Sequence, residues 1–464
     1  IDYLRIYTLY ISMSFKHRVR SVSKWLNRPR FKNVNRTWNA EQIVTLQGSQ
    51  KPVEQLSNRT SKKFWNILEN SKKNKKCEYT YGALDPLQVT QMSEYLSTVY
   101  VSGWQTSSTA SSNNLPGPDL ADYPYDSVPK KVDQLFRSQL FHDRKQFERN
   151  IRMPESKKNI DYFRPIIADA DAGHGGPSTV MKLTQMFVEA GAAGIHIEDQ
   201  KNGAKKCGHQ GGKVLCSIQE QISRLKAARL QCDIMGTDTV IIGRTDAKSA
   251  KFIDSDIDPV DIPFIRGQLG SKDDKYDLKK YGLDSWLPNR TPEGYYHVDC
   301  GLDLAIARAN AMAPYADVLW CELDTPSLED ARIFAEGVDK KNAFLAINTS
   351  PSFNWASSGL TIGDMKEYHQ QLGKLGYQWS FITLAGFHLN GLAAAQFSRD
   401  YKDNSMFAYV NNIQDKEKDM NLDILTHQQF SGSELIDTCL TTALGDSYST
   451  QIQGEDSTEH QFKD

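Results

Sequence analysis

Two ammonium groups and an imidazole stand beside one thiol in Lys205-Lys206-Cys207-Gly208-His209. Neighbouring cations favour a thiolate and lower the thiol pKa toward neutrality. Cys207 therefore reads as a group that exchanges a proton at cellular pH, as acid or as nucleophile. The bland alternative is a free cysteine acting as a small buried hydrophobe. Lys, Lys, Gly and His in direct succession argue against burial of this stretch. Just upstream runs an apolar segment with an acidic end, Ala193-Gly194-Ile195-His196-Ile197-Glu198-Asp199.

Such residues need elements that aim them at one point. Short apolar, strand-like runs occur at Tyr79–Leu84, Thr98–Ser102, Pro165–Asp169 and Gly194–Glu198. Four more follow at Thr239–Arg244, Asp317–Glu322, Ala343–Asn348 and Ser380–Thr383. Helical patterns lie between them. Val180, Leu183, Phe187 and Ala190 share a face that Gly191 should end. Ser217 and Glu220 predict a capping box, and Thr325-Pro326 a cap and first turn for Leu328, Ala331 and Phe334. Strand and helix alternating through eight units predict an α/β fold, a closed parallel (β/α)8 TIM-type barrel. A doubly wound open sheet would share the local pattern. The number of units and the placing of polar residues favour the barrel.

Those polar residues fall at the strand ends: Ser102-Gly103-Trp104, Asp169-Ala170-Asp171, Glu198-Asp199, Arg244-Thr245-Asp246, Glu322, Asn348-Thr349-Ser350-Pro351-Ser352 and Thr383. The C-terminal rim is where barrels of this kind carry their active sites. Asp169, Asp171, Glu198 and Glu322 offer hard oxygen ligands without a compact histidine set, which favours magnesium or manganese over zinc. Each acid taken singly could instead cap a helix or pair with Arg244 and the lysines. Arg244 suits bidentate carboxylate binding, and Asn348, Ser350, Ser352 and Thr383 can hydrogen-bond a second carboxylate. The predicted substrate is a small polyanion chelated to a metal.

At these residues the chain resembles the isocitrate lyase family. The likeness is carried by Lys205–His209 with Gly211-Gly212-Lys213-Val214-Leu215 behind it, by Ile195–Gln200, by Asn348–Trp355 and by Phe381–His388. It runs from about Trp25-Leu26-Asn27-Arg28-Pro29-Arg30-Phe31 to Gln461-Phe462. The resemblance implies cleavage of isocitrate to succinate and glyoxylate, with magnesium, by a homotetramer whose C-terminal helices are exchanged between subunits. It also implies that Asp169 holds the metal, through water, with Asp119, Asp171, Glu198 and Glu322 nearby. Ser102, Gly103 and Trp104 would take the glyoxylate part. Gly208, His209, Arg244, Asn348, Ser350, Pro351, Ser352 and Thr383 would line the succinate side. Cys207 would protonate the carbanion left by bond cleavage, and Tyr100 is the candidate base. The rival within the family is 2-methylisocitrate lyase, but Trp320, Phe381 and Thr383 match the isocitrate form. Another barrel enzyme of the phosphoenolpyruvate mutase type would not need the Lys205–His209 segment. An inactive structural paralogue would have lost motif residues, and none is lost.

Composition agrees with that reading. In 464 residues the formal charge is −2, so nothing global points to nucleic acid or a membrane surface. Seven cysteines without paired metal-type spacings suggest free thiols in a reducing compartment. Residues 1–24 form an apolar start and a basic, acid-free stretch, read either as an irregular leader or as a mitochondrial transit peptide. A helical extension is expected over 25–78, the barrel over 79–400, a helical segment over 401–446 and a polar tail over 447–464. The interval 254–292, with Lys272-Asp273-Asp274-Lys275, is short where many eukaryotic family members carry a helical insertion, and Asp284-Ser285-Trp286 resembles a displaced Asp-Trp pair. The final residues lack a Ser-Lys-Leu-type peroxisomal signal. The compartment is left open between cytoplasm, glyoxysome or peroxisome, and mitochondrion.

Overall fold

Four- to six-residue apolar runs, each followed by a helix, can bury their side chains on both faces only as strands of a parallel sheet wrapped by those helices. That is the architecture of the computed structural model, which describes residues 2–109, 115–266, 290–340, 343–445 and 448–462. Lys272–Lys275, Asp284–Trp286 and the first residue of the polar tail, Ser447, lie outside the described residues. The chain divides into two compact units. One comprises residues 1–136 and 164–385, the other residues 137–163 and 386–464.

The first unit holds eight parallel strands: β1 Glu78–Tyr81, β2 Val99–Val101, β3 Ile166–Asp169, β4 Ala192–Glu198, β5 Val240–Thr245, β6 Val318–Cys321, β7 Phe344–Asn348 and β8 Trp379–Ile382. They neighbour one another in the order β1-β8-β7-β6-β5-β4-β3-β2. A parallel bridge between Gly82 and Tyr100, with Ala83 N–H donating to the Tyr100 carbonyl at 2.9 Å, closes the ring. All eight predicted strands are present within two or three residues of their expected bounds. Register places Asp169 opposite His196, Glu198 opposite Arg244, and Arg244 opposite Trp320.

The barrel interior is filled rather than open. Tyr100, Ile167, Ile242, Trp320 and Phe381 pack in one buried cluster, and burying each such side chain contributes roughly 1.5–3 kcal/mol. Phe64 and Leu68, from the helix Ser57–Asn74, join that cluster beside Val240, Val318, Phe344 and Trp379 and stop the N-terminal mouth. The N-terminal extension is pinned at the same end by buried ion pairs. Arg30 grips Asp317 with two bonds of 2.8 and 2.9 Å, and Arg229 donates to the same carboxylate. Arg36 and Trp38 both donate to Asp233.

The helix Pro177–Ala190 ends at a left-handed Gly191, as its pattern predicts. Its φ of 109° and the Phe136 ring packed where a Cβ would sit both require glycine there. Ser217 caps the helix Ile218–Met235, but Glu220 turns to Arg224 instead of completing the box. The expected Thr325-Pro326 start is corrected: Ser327 is the cap, because its hydroxyl is the one that accepts from Asp330 N–H. A three-stranded side sheet of Val214–Leu215, Phe252–Ile253 and Tyr296–His297 was invisible to sequence patterning, since two residues carry no period. No helix among the described residues is long and apolar enough to cross a membrane.

In the second unit the helix Ala385–Tyr409 leaves Leu389, Leu392 and Phe407 exposed. Within the same unit, Arg152 pairs with Glu434 and Lys145 donates to the Phe430 carbonyl.

Candidate active site

Because strands in a parallel barrel all point one way, the residues just past their ends share one rim. Four residues on this rim hold a left-handed backbone without being glycine: Asp119 (φ 66°), Ala121 (φ 50°), Asp171 (φ 49°) and His174 (φ 53°). Such conformations cost about 1–3 kcal/mol each and concentrate where a site over-determines the chain.

Lys205 is the hub of one half of the site. Its buried ammonium lies 2.7 Å from Asp119, 2.5 Å from Asp171 and 3.8 Å from Glu198. Asp171 also accepts from the Tyr123 hydroxyl and stands 3.2 Å from His174. Asp169 takes N–H bonds from Gly103 at 3.0 Å and Asp171 at 2.9 Å. Gly103 must be glycine for this: a Cβ there would lie 2.9 Å from the Asp169 carboxylate. Burial lifts the Asp119 carboxyl to about 7 even with Lys205 beside it, and Asp171 and Asp169 add to the rise. Burial likewise holds Glu198 well above its usual range. Against its own burial, Asp171 is drawn well below by Lys205 and His174.

Arg244 organises the other half. It contacts Glu198 at 2.9 Å, Asp246 at 3.1 Å and Glu322 at 3.5 Å, and lies 4.4 Å over the Trp320 ring. His209 reaches Glu322 at 3.2 Å, and Asn348 donates to the same carboxylate at 3.1 Å. Burial opposes the charge on Glu322, yet His209 and Arg244 hold it low. Arg244 Nε and Asn348 Oδ1 are buried with no hydrogen-bond partner among the described residues. Buried orphan donors and acceptors are costly unless a ligand satisfies them.

The expected site residues thus divide. Asp119, Asp169, Asp171, Glu198, Glu322, Gly208, His209, Arg244 and Asn348 converge, and a Cβ on Gly208 would strike Arg244 at 2.5 Å. Ser102, Ser350 and Trp104 sit at the ends of β2 and β7. The Ser102 and Ser350 hydroxyls are turned inward to accept N–H bonds from Gln105 and Ser352. Half-buried Pro351 and Thr383 and exposed Ser352 share the rim, but their side chains are not hydrogen-bonded to the carboxylate cluster.

Two protonation states differ from what chain neighbours suggest. Cys207 is half-buried, and its thiol is pushed up to about 12, by burial first and then by Asp119. The sequence places cations beside this thiol, but in space Lys205 is engaged by Asp119 and Asp171, and His209 by Glu322. The shift favours the protonated thiol over the thiolate. Tyr100 is also held well above its usual value, by burial and then Asp169, while its hydroxyl meets His196 at 2.9 Å. The shift favours the neutral phenol. Lys213, Asp246, Tyr123 and His196 join the site without having been singled out; Asp246 closes the Arg-Thr-Asp strand end and Lys213 follows Gly-Gly, signals that were readable. Among the described residues, no three His, Cys, Asp or Glu side chains close around a point tightly enough to enclose an ion unaided.

Comparison with known proteins is consistent with this geometry. The profile of the Isocitrate lyase family matches residues 18–282 and 282–462. An isocitrate lyase of Kluyveromyces lactis is 40% identical over 96% of this chain and 97% of its own length. A mitochondrial 2-methylisocitrate lyase of Hypocrea atroviridis is 34% identical over 97% of this chain and 94% of its own. A phosphoenolpyruvate phosphomutase of Streptomyces platensis shares the fold, with a TM-score of 0.53 at 16% identity over 82% of this chain and 98% of its own.

Proposed function

The chain belongs to the isocitrate lyase family, and from that premise we propose that it cleaves isocitrate to succinate and glyoxylate. The observation that carries the reading is the meeting of the Cys207–His209 segment with Arg244, Glu322 and Asn348 on one rim, beside the acids around Lys205. The greater distance of the 2-methylisocitrate lyase relative, and the tight packing of Trp320 on Phe381 (ring centroids 5.0 Å apart), favour the smaller substrate.

The donor set fits a small hard cation. Asp119, Asp169, Asp171, Glu198, Asp246 and Glu322 outnumber Lys205, Lys213 and Arg244, and burial lifts Asp119 and Glu198 despite those cations. With no closed cage, one carboxylate plus retained water is the binding mode these residues suit, which favours magnesium, with manganese as substitute. Asp169 would hold it. A cation held there would be chelated by the substrate and would supply Lewis-acid stabilisation of charge on its oxygens.

The chain's own residues do the rest. Arg244, His209 and Asn348 bind the succinate-side carboxylates, joined by Ser350, Ser352 and Thr383, while Ser102, Gly103 and Trp104 take the glyoxylate side. The substrate hydroxyl loses its proton to the carboxylate side, where Asp119, lifted by burial, is the candidate acceptor. The carbon–carbon bond beside that hydroxyl breaks, its electron pair passes to the succinate carbon, and Arg244 and His209 stabilise the enolised carboxylate. Cys207 S–H then donates its proton to that carbon.

The proposed assembly is a homotetramer with exchanged C-terminal helices, supported by the apolar side of Ala385–Tyr409 that a second copy would cover. All seven cysteines are free, which suits the cytoplasm or a peroxisome-type compartment. The test is glyoxylate release from isocitrate with and without magnesium. A higher kcat/KM for 2-methylisocitrate, read as pyruvate release in a parallel assay, would overturn the assignment.

A further inference from the structure

We propose that Lys213 is a positioning residue that clamps the Lys205–His209 segment onto the rim. Its ammonium is buried, with a side chain 1% exposed. It donates to three acceptors: the Gly208 carbonyl, Ser249 Oγ at 2.7 Å and Asp246 Oδ1 at 3.3 Å. Three donors meeting three acceptors leave that ammonium fully satisfied. The anchor on one side is rigid, because Lys213 leads directly into Val214–Leu215, which pairs with Phe252–Ile253 in the side sheet.

The object held is the peptide between the proton donor and the carboxylate-binding imidazole. Gly208 is fixed from two directions: Lys213 holds its carbonyl, and its α-carbon packs so closely on Arg244 and Glu322 that no side chain fits. Cys207 and His209 flank this point. Their orientation therefore follows from where Lys213 puts Gly208. The segment between the left-handed glycines Gly203 (φ 81°) and Gly212 (φ 69°) holds no helix or strand, so side-chain anchors must set its place. Lys205 anchors its start on the acids; Lys213 anchors its middle. Asp246 joins the clamp to Arg244, so that one carboxylate orients both the segment and the guanidinium below it.

The experiment uses the full chain with Lys213→Met, which keeps the volume and removes the charge. The probes are alkylation of Cys207 by iodoacetamide, read by mass spectrometry, and tryptic cutting after Lys205 and Lys206. Freed of the clamp, the segment should open more often, so both rates should rise about tenfold or more at temperatures well below the variant's own Tm. kcat should fall more than the magnesium half-saturation changes, and Lys213→Arg should restore part of it. Unchanged alkylation in a folded Lys213→Met would overturn the proposal. Should that variant fail to fold, Ser249→Ala removes one acceptor from the same ammonium and must move both probes in the same direction; no movement there also overturns it. The turnover arm rests on the isocitrate reading, whereas alkylation and cutting do not, so a chain inert toward isocitrate would sink that reading and leave the clamp standing.

Discussion

The two ends of the barrel use the same residue types to opposite effect. At the N-terminal end each buried acid is matched. Asp317 receives Arg30, Arg229 and the Ile241 N–H, and against its burial Arg229 and Arg30 hold it far below the usual carboxylate range. At the C-terminal rim the acids exceed their cations: Asp171, Asp246 and Glu322 are held low by the cations they meet, while burial lifts Asp119 and Glu198 despite Lys205 and Arg244. Matched charge fixes an extension in place. Unmatched charge on strained backbone is a standing demand for something else to bind. Burial does not separate the two ends; charge balance does.

The largest effect should come from the rim. Cys207→Ser should fold normally and lose about 10²–10⁴-fold in kcat, the range a positioned general acid contributes. Near-wild-type turnover in a steady-state assay would remove Cys207 from the donor role. Next, one acid from each end separates the two kinds of site. Asp169→Ala should abolish activity or raise the magnesium requirement steeply while leaving the melting temperature nearly unchanged, and full activity in excess chelator would refute its metal role. Asp317→Ala should do the reverse, costing about 3–5 kcal/mol of stability by leaving buried arginines unpaired, with turnover per folded molecule retained. Equal loss of fold in both variants would erase the distinction drawn above.

Between the ends lies the aromatic layer. Phe381 touches Tyr100 and Trp379 with ring centroids 4.3 and 4.4 Å apart, and Thr383 follows it to the rim. Phe381→Leu with Thr383→Ser should open room for a methyl group and shift the kcat/KM ratio toward 2-methylisocitrate by about tenfold to a few hundredfold. No shift would assign the layer to packing alone. The smallest effect is a slope. With its thiol pushed up to about 12, Cys207 should be alkylated slowly near pH 7, the rate rising about tenfold per pH unit with no plateau through pH 10. A plateau near the ordinary cysteine value would show the thiol to be exposed.

The barrel was legible because eight apolar runs alternate with helical patterns, and the rim because Asp169, Glu198, Arg244, Glu322 and Asn348 each close such a run. The state of Cys207 was not legible. Chain neighbours Lys205 and His209 promise a low pKa, and only the fold reveals Asp119 and Glu322 waiting to take those cations away. Tyr100 shows the same limit, since its strand position predicts access to the rim but not its partnership with His196. Lys213 could be read as part of a motif, yet nothing in its spacing tells that its amine bends back five residues to Gly208.

The side sheet has a consequence for how this chain tolerates change in length. Arg266 N–H bonds the His297 carbonyl at 2.9 Å, Ile265 bridges Val298, and Phe252–Ile253 pairs with Tyr296–His297. Residues 252–266 and 296–298 are therefore tied to each other by backbone bonds of the side sheet. The family profile matches this chain in two parts that meet at residue 282. Closing a loop of doubled length costs only about 0.6 kcal/mol more. A seam of a few backbone bonds between 252–266 and 296–298 therefore makes added length in the sequence between them cheap.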